Sequence, residues 1–183
     1  MHGLKVYNNI LSKDSCNKII ELFDNDDHRE TGTTGYNKIT NEKKSTDIHC
    51  NFDNINTQHY NDILMPSVLK LSDNIKKEYS FLNKGCDWWG MDNWYNIQKY
   101  ENGQGYFATH CEQSSSYPHR MLAWMIYLND AKCGTKFYYQ NKTFKAKQGR
   151  MLIWPAAWTH MHSGIIPNLN RKYIITGWYS FVS

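Results

Sequence analysis

From about residue 92 onward, apolar and aromatic residues alternate in short runs broken by glycine or by Asn-Asp. A period of two is the mark of a strand whose faces meet different surroundings, so this half of the chain is expected to be sheet. Eight runs qualify: Trp94–Tyr100, Tyr106–Glu112, Met121–Leu128, Thr135–Tyr139, Thr143–Lys147, Met151–Trp154, Trp158–Ser163 and Lys172–Phe181. Short strands at this spacing predict a sandwich or jelly roll. The aromatic share, 15%, agrees, because rings suit pleated, half-buried surfaces. Before residue 92 the spacing is helical. Cys16, Ile19, Ile20 and Phe23 predict a first helix capped by Ser12 or Asp14. Ile63, Leu64, Val68, Leu69, Leu71 and Ile75 predict a second over about 57–81, with Pro66 starting its main part or kinking it. Residues 25–50 are polar and read as a long loop holding one short strand. The expectation is one α+β domain over 1–183, with 1–91 as helical and loop support and 92–183 as the sheet core.

Several function classes are excluded at this stage. Lys and Arg number 21 against 17 Asp and Glu, and the net charge of +4 is scattered, so no nucleic-acid partner is expected. No apolar run approaches the roughly 18–20 residues that span a membrane, so no membrane association is expected. The start, Met1-His2-Gly3-Leu4-Lys5, lacks the pattern of a secretory leader. The five cysteines, Cys16, Cys50, Cys86, Cys111 and Cys133, are odd in number and form no Cys-x-x-Cys. Neither a disulfide framework nor a zinc ribbon fits, and a reducing cytoplasm is the expected compartment.

Two His and one carboxylate on one side of a metal leave three positions open for co-substrate and O₂. On a strand, residues i and i+2 share a face, so His-x-Asp/Glu aims two ligands at one ion. The chain has two such pairs, His28-x-Glu30 and His110-x-Glu112, where chance predicts roughly 0.7. His28 lies in a polar stretch that reads as a solvated helix end. His110 and Glu112 end the run from Tyr106, sharing a face with Tyr106 and Ala108. Downstream, Trp158-Thr159-His160-Met161-His162 places His160 and His162 on one predicted strand face. Lys172 follows ten residues after His162 and faces the same way as Ile174, Thr176 and Trp178. A lysine inside a barrel is costly unless an anion meets it, and a dicarboxylate co-substrate supplies that anion.

These segments resemble, in order, those of the prolyl 4-hydroxylase branch of the Fe(II)/2-oxoglutarate-dependent oxygenases. The likeness covers roughly residues 95–181, with an echo at Ile10–Cys16. Tyr100-Glu101-Asn102-Gly103-Gln104-Gly105-Tyr106 resembles the family's lead-in to the first His. Met125–Asn129 resembles the next core strand, and Thr135-Lys136-Phe137 a turn end. Lys147-Gln148-Gly149 through Trp154-Pro155 resembles the segment before the last His, and Arg171–Trp178 the final strand. The resemblance implies a double-stranded β-helix, a cupin-like jelly roll with bracing N-terminal helices. It implies Fe(II) on His110, Glu112 and His162, and Lys172 on the distal carboxylate of 2-oxoglutarate. Tyr100 and Tyr127 become neighbours of that co-substrate, with Thr176 and Trp178 lining its pocket. O₂ is the second co-substrate, and ascorbate is an allowed auxiliary reductant. The implied activity is hydroxylation of a C–H bond in a peptide, protein or small molecule, proline in a peptide being the family's commonest target.

The chain departs from the family at two places. It has Glu112 where aspartate is usual, and Lys132-Cys133-Gly134 where the family has Gly-Gly-Glu. Spacing back from Lys172 selects His162, while spacing forward from Pro155 selects His160. Two other readings use the same residues: a jelly-roll binding module without catalysis, and a zinc hydrolase, against which Lys172 argues. The segment Cys86–Trp94 is expected to pack in the core or wall the mouth of the site. Ser114-Ser115-Ser116 reads as a surface loop, and Arg120 as an exposed strand start or a group that binds an acidic part of the substrate.

Overall fold

Alternating burial builds the main sheet from both sides. In the strand Arg120–Tyr127, Leu122, Trp124 and Ile126 belong to one apolar cluster, while Ala123, Met125 and Tyr127 belong to another. A strand buried on both faces reads as a continuous apolar run, which is how Met121–Leu128 reads. The structure, a computed structural model, describes residues 3–34, 40–85 and 88–181. Met1, His2, Cys86, Asp87 and the middle of the predicted 25–50 loop lie outside the described residues.

The strands, in chain order, are β1 (Lys5–Tyr7), β2 (Glu30–Thr31), β3 (Thr46–Asn51), β4 (Trp89–Tyr100), β5 (Arg120–Tyr127), β6 (Gly134–Phe137), β7 (Lys142–Lys145), β8 (Met151–Pro155), β9 (His162–Ile165) and β10 (Lys172–Phe181). Seven form an antiparallel sheet in the order β1-β8-β5-β10-β4-β3-β2, and three form a small sheet in the order β7-β6-β9. This is the jelly-roll, α+β architecture that the sequence leads one to expect. Three strands from the first 91 residues join the main sheet, and β1, only three residues long, carries too little pattern to be read from sequence.

Helix α1 (Lys13–Asp24) begins where the Ser12 side chain accepts from the Ser15 amide, so Ser12 is the cap and Asp14 sits in the first turn. Helix α2 (Gln58–Glu78) buries Tyr60, Leu64, Val68, Leu71 and Ile75, one stripe at three- and four-residue spacing. Pro66 lies inside it on the exposed side, where water can serve the carbonyl it leaves free. A short helix α3 (Leu82–Gly85) follows. Both long helices pack on the main sheet through Ile19, Phe23, Leu64, Val68 and Ile75, against Ile97, Trp124, Ile126 and Ile175. Each such side chain contributes about 1.5–3 kcal/mol by leaving water.

The second cluster fills the space between the sheets with Met125, Tyr127, Phe137, Leu152, Trp154 and Ile174. The helices therefore cover one face of the main sheet, and the small sheet covers the other.

Two sequence expectations fail here. Tyr106–Glu112 is not a regular strand: it is held by isolated bridges, Lys43 to Tyr106 and His110 to His162. The Tyr106 carbonyl accepts from the Gly164 amide, so four residues of this segment span two of β9. The surplus makes a bulge that interrupts the ladder. Trp158–His160 is a 3-10 turn rather than strand, and β9 begins only at His162.

Candidate metal centre

His110 and His162 meet as a backbone pair. The His110 amide donates to the His162 carbonyl at 2.9 Å, and the His162 amide donates to the His110 carbonyl at 2.8 Å. Directly opposed residues of this kind send their side chains to the same side. Glu112 is placed by its own amide, which donates to the Ala156 carbonyl at 3.0 Å. One ligand atom from each of His110, Glu112 and His162 lies within 4.8 Å of the others.

The donors are oriented for a cation. Nδ1 of His110 lies 2.9 Å from the Ala108 carbonyl, and Nδ1 of His162 lies 3.0 Å from the His160 carbonyl. A carbonyl accepts only, so each Nδ1 carries a proton and Nε2 is the nitrogen that each ring turns toward the site. Both Nε2 atoms face Glu112 Oε1, at 3.8 Å from His110 and 3.2 Å from His162. The His110 ring stacks on Tyr106, and His162 packs against Phe137 and Trp154. Burial, then the nearby His162, push the His110 imidazole down to about 4, against the pull of Glu112. It is neutral at pH 7, the form that binds metal. Burial would raise the Glu112 carboxyl, but the His162 hydrogen bond, both imidazoles and the Trp178 indole outweigh it. They hold the group well below the usual carboxylate range. Two imidazoles and one carboxylate therefore converge, a donor set that fits Fe(II).

His160 stands apart. Its side chain is buried, with Nδ1 3.0 Å from Thr159 Oγ1. The 3-10 turn breaks the alternation that made His160 and His162 look equivalent.

A cavity of about 760 Å³ extends from the three donors, and Lys172 lies in its wall. Lys172 is 3% exposed, and no described carboxylate pairs with it. Its ammonium lies 4.4 Å from the centre of the Tyr100 ring. A side chain at Gly164 would come within 3.3 Å of the same nitrogen, so glycine keeps that space open. Burial pushes the Lys172 amine down to about 8, partly offset by Cys133. An anion entering the cavity would restore the charge that burial opposes.

The other expected pocket residues divide. Thr176 and Trp178 line the cavity from β10, and Tyr100 lines it from β4. Tyr100 donates its hydroxyl to Gln98 at 3.1 Å. Tyr127 stands one layer back: its hydroxyl meets Thr135 Oγ1 at 2.7 Å, and Thr135 is the lining residue.

Sequence reasoning left Arg120 and Trp94 between two readings and missed several other wall residues. Arg120 is no exposed strand start. Its side chain is 14% exposed and lies 3.9 Å from Glu112 Oε2, stacked over Tyr117 and Trp178. A buried ion pair, Lys43 with Asp47, sits in the wall, and Gln98 donates to the same aspartate at 3.0 Å. His49, Asn96 and Trp94 reach the mouth from β3 and β4. Trp94 is 60% exposed and belongs to the mouth, Trp89 is buried in the core, and Trp88 is exposed away from both clusters. Ser114 and Ser116 also border the cavity. Alternation within β4 was the one available signal for Asn96 and Gln98.

Comparison with known proteins agrees with this geometry. Residues 95–180 match the family described as the 2OG-Fe(II) oxygenase superfamily. No curated protein sequence matches the chain. Among solved structures, a prolyl hydroxylase from Trichoplax adhaerens, in complex with a hypoxia inducible factor oxygen degradation domain peptide fragment, superposes with a TM-score of 0.76. It is 19% identical, with 99% of this chain and 84% of that one covered. A prolyl-4-hydroxylase from Pseudomonas putida gives 0.74 at 14% identity, covering 98% and 94%. A viral collagen prolyl hydroxylase from Paramecium Bursaria Chlorella virus-1, as a 2OG complex, gives 0.64 at 16% identity, covering 98% and 96%. At these identities the likeness is one of fold. Among the described residues no helix is long and apolar enough to cross a membrane.

Proposed function

We propose that this chain, whose residues 95–180 match the 2OG-Fe(II) oxygenase superfamily, belongs to it, and that His110, Glu112 and His162 hold Fe(II) while Lys172 holds 2-oxoglutarate. The chain is a dioxygenase of the prolyl 4-hydroxylase-like kind, with Fe(II), 2-oxoglutarate and O₂ as its requirements. When bound, the metal and co-substrate supply the oxidising power that places one oxygen atom of O₂ in a C–H bond and leaves succinate and CO₂. The observation that carries the site assignment is the buried Lys172 ammonium, with no carboxylate partner among the described residues, in the same cavity wall as three convergent donors.

The residues divide the work by position. His110 and His162 turn their Nε2 atoms to the site because their Nδ1 protons are engaged by backbone carbonyls. Glu112 brings the negative charge that favours a dication over water. Lys172 orients the distal carboxylate of 2-oxoglutarate, with Tyr100 packed against its ammonium, Tyr127 bracing Thr135, and Thr176 and Trp178 closing the wall. Trp154 and Phe137, packed behind His162, keep that side of the site dry. Arg120, Trp94 and the mouth residues orient the substrate, which we take to be a peptide or protein segment carrying proline. The Trichoplax adhaerens structure, which holds a peptide fragment, supports this choice. The proposal keeps the cytoplasmic setting and the single-domain organisation expected above.

The test is anaerobic addition of Fe(II) and 2-oxoglutarate to purified protein. A weak visible charge-transfer band is expected, with succinate formed once air is admitted. His162→Ala is expected to abolish the band and His160→Ala to leave most of it. No band and no succinate from folded protein would refute the reading, and the reverse pattern of variants would move the third ligand to His160.

A further inference from the structure

The two oxygens of Glu112 have different neighbours. Oε1 faces the imidazoles. Oε2 accepts a hydrogen bond from the Trp178 indole Nε1 at 2.8 Å. That indole is itself held. The Arg120 guanidinium carbon lies 3.7 Å from the centre of the Trp178 ring and 3.9 Å from that of Tyr117. The pairing of β10 with β4 shifts register between Gly177 and Tyr179, at Trp178, while its pairing with β5 runs on through Ala123. An irregularity of this kind re-aims a side chain at a site.

We propose that Trp178 is a positioning residue for the metal: its indole N–H fixes Oε2 of Glu112, so that Oε1 alone is presented to the two imidazoles. This rests on the ligand set proposed above. The bond explains how glutamate serves where the family's usual residue is aspartate. Glutamate carries one more rotatable bond, whose freedom must be given up on ordering. It also reaches further by one C–C bond, roughly 1.5 Å. The indole engages the oxygen that this extra length carries toward β10. An aspartate at the same backbone position would stop short of the indole and leave its N–H without that partner. Trp178 is thereby more than a wall of the co-substrate pocket.

The experiment is calorimetric titration of the metal-free protein with Mn(II), which binds without redox chemistry, so the readout is affinity and not turnover. Four proteins form a cycle: the natural chain, Trp178→Phe, Glu112→Asp, and the double variant. Trp178→Phe is expected to weaken Mn(II) binding by about tenfold or more in the natural background. In the Glu112→Asp background the same change is expected to matter by less than about twofold. Replacing Trp178 with benzothienylalanine, which keeps the ring shape and exchanges N–H for sulfur, is expected to reproduce the loss without a packing change. Equal losses in both backgrounds, or full affinity in the benzothienylalanine protein, would overturn the proposal while leaving the ligand set intact. Failure of the natural chain to bind Mn(II) at all would overturn both.

Discussion

The two faces of β10 are made from one ten-residue strand and do opposite things. Tyr173, Ile175 and Tyr179 join the apolar cluster under the helices. Lys172, Ile174, Thr176 and Trp178 line the cavity. Neighbours in sequence thus sit in a dry apolar layer and at a cation-lined wall. Because side chains on a strand alternate, holding the fold and building the site are interleaved residue by residue rather than parcelled into separate regions. Adjacent substitutions should therefore separate stability from binding.

The sharpest contrast is Lys172→Met. Removing a buried charge that meets an anion costs about 2–5 kcal/mol of binding, so 2-oxoglutarate affinity is expected to fall by about a hundredfold or more. The free variant is expected to melt at the same temperature or higher, because a lone buried ammonium is replaced by an apolar chain of similar length. Calorimetric titration and a thermal melt of the same sample check both halves, and a lowered melting temperature would break the comparison. On the other face, Ile175→Ala is expected to lower stability by about 2–5 kcal/mol in urea unfolding, with Mn(II) affinity of the folded protein unchanged.

The smallest effect is a pH dependence. With Lys172 near 8 in the folded chain and at its ordinary value of 10.5 when unfolded, the unfolded chain binds more protons between those values. Stability is expected to rise with pH from about 8 to about 10.5, and Lys172→Met to lose that rise. Affinity for 2-oxoglutarate should run the other way. It should hold below about 8 and decline above it, as the ammonium gives up its proton.

What the sequence shows follows the same division. Helices with a clean apolar stripe and strands with strict alternation are legible, because period and burial agree within one short segment. Lys172–Phe181 was read with its bounds as found. The segments that carry the candidate ligands obey no local rule. Tyr106–Glu112 alternates like a strand, yet its bulge depends on β9, more than fifty residues later. His160 and His162 look interchangeable until a 3-10 turn separates them. Arg120 begins a strand and reads as exposed; Tyr117, three residues before it, and Trp178, from the last strand, cover its guanidinium. Residue identity pointed to His110, Glu112, His162 and Lys172, whereas the mouth, drawn from β3, β4 and the serine loop, is set by long-range pairing.

The exchanged backbone bonds between His110 and His162 also bear on assembly. They close a loop of about fifty residues, and the entropy of that closure is met by the sheet rather than by the ion. A chain still collapsing holds its two imidazoles far apart and has nothing to chelate with. Under the ligand set proposed above, metal capture is expected to follow folding, and removal of the ion to leave the chain folded.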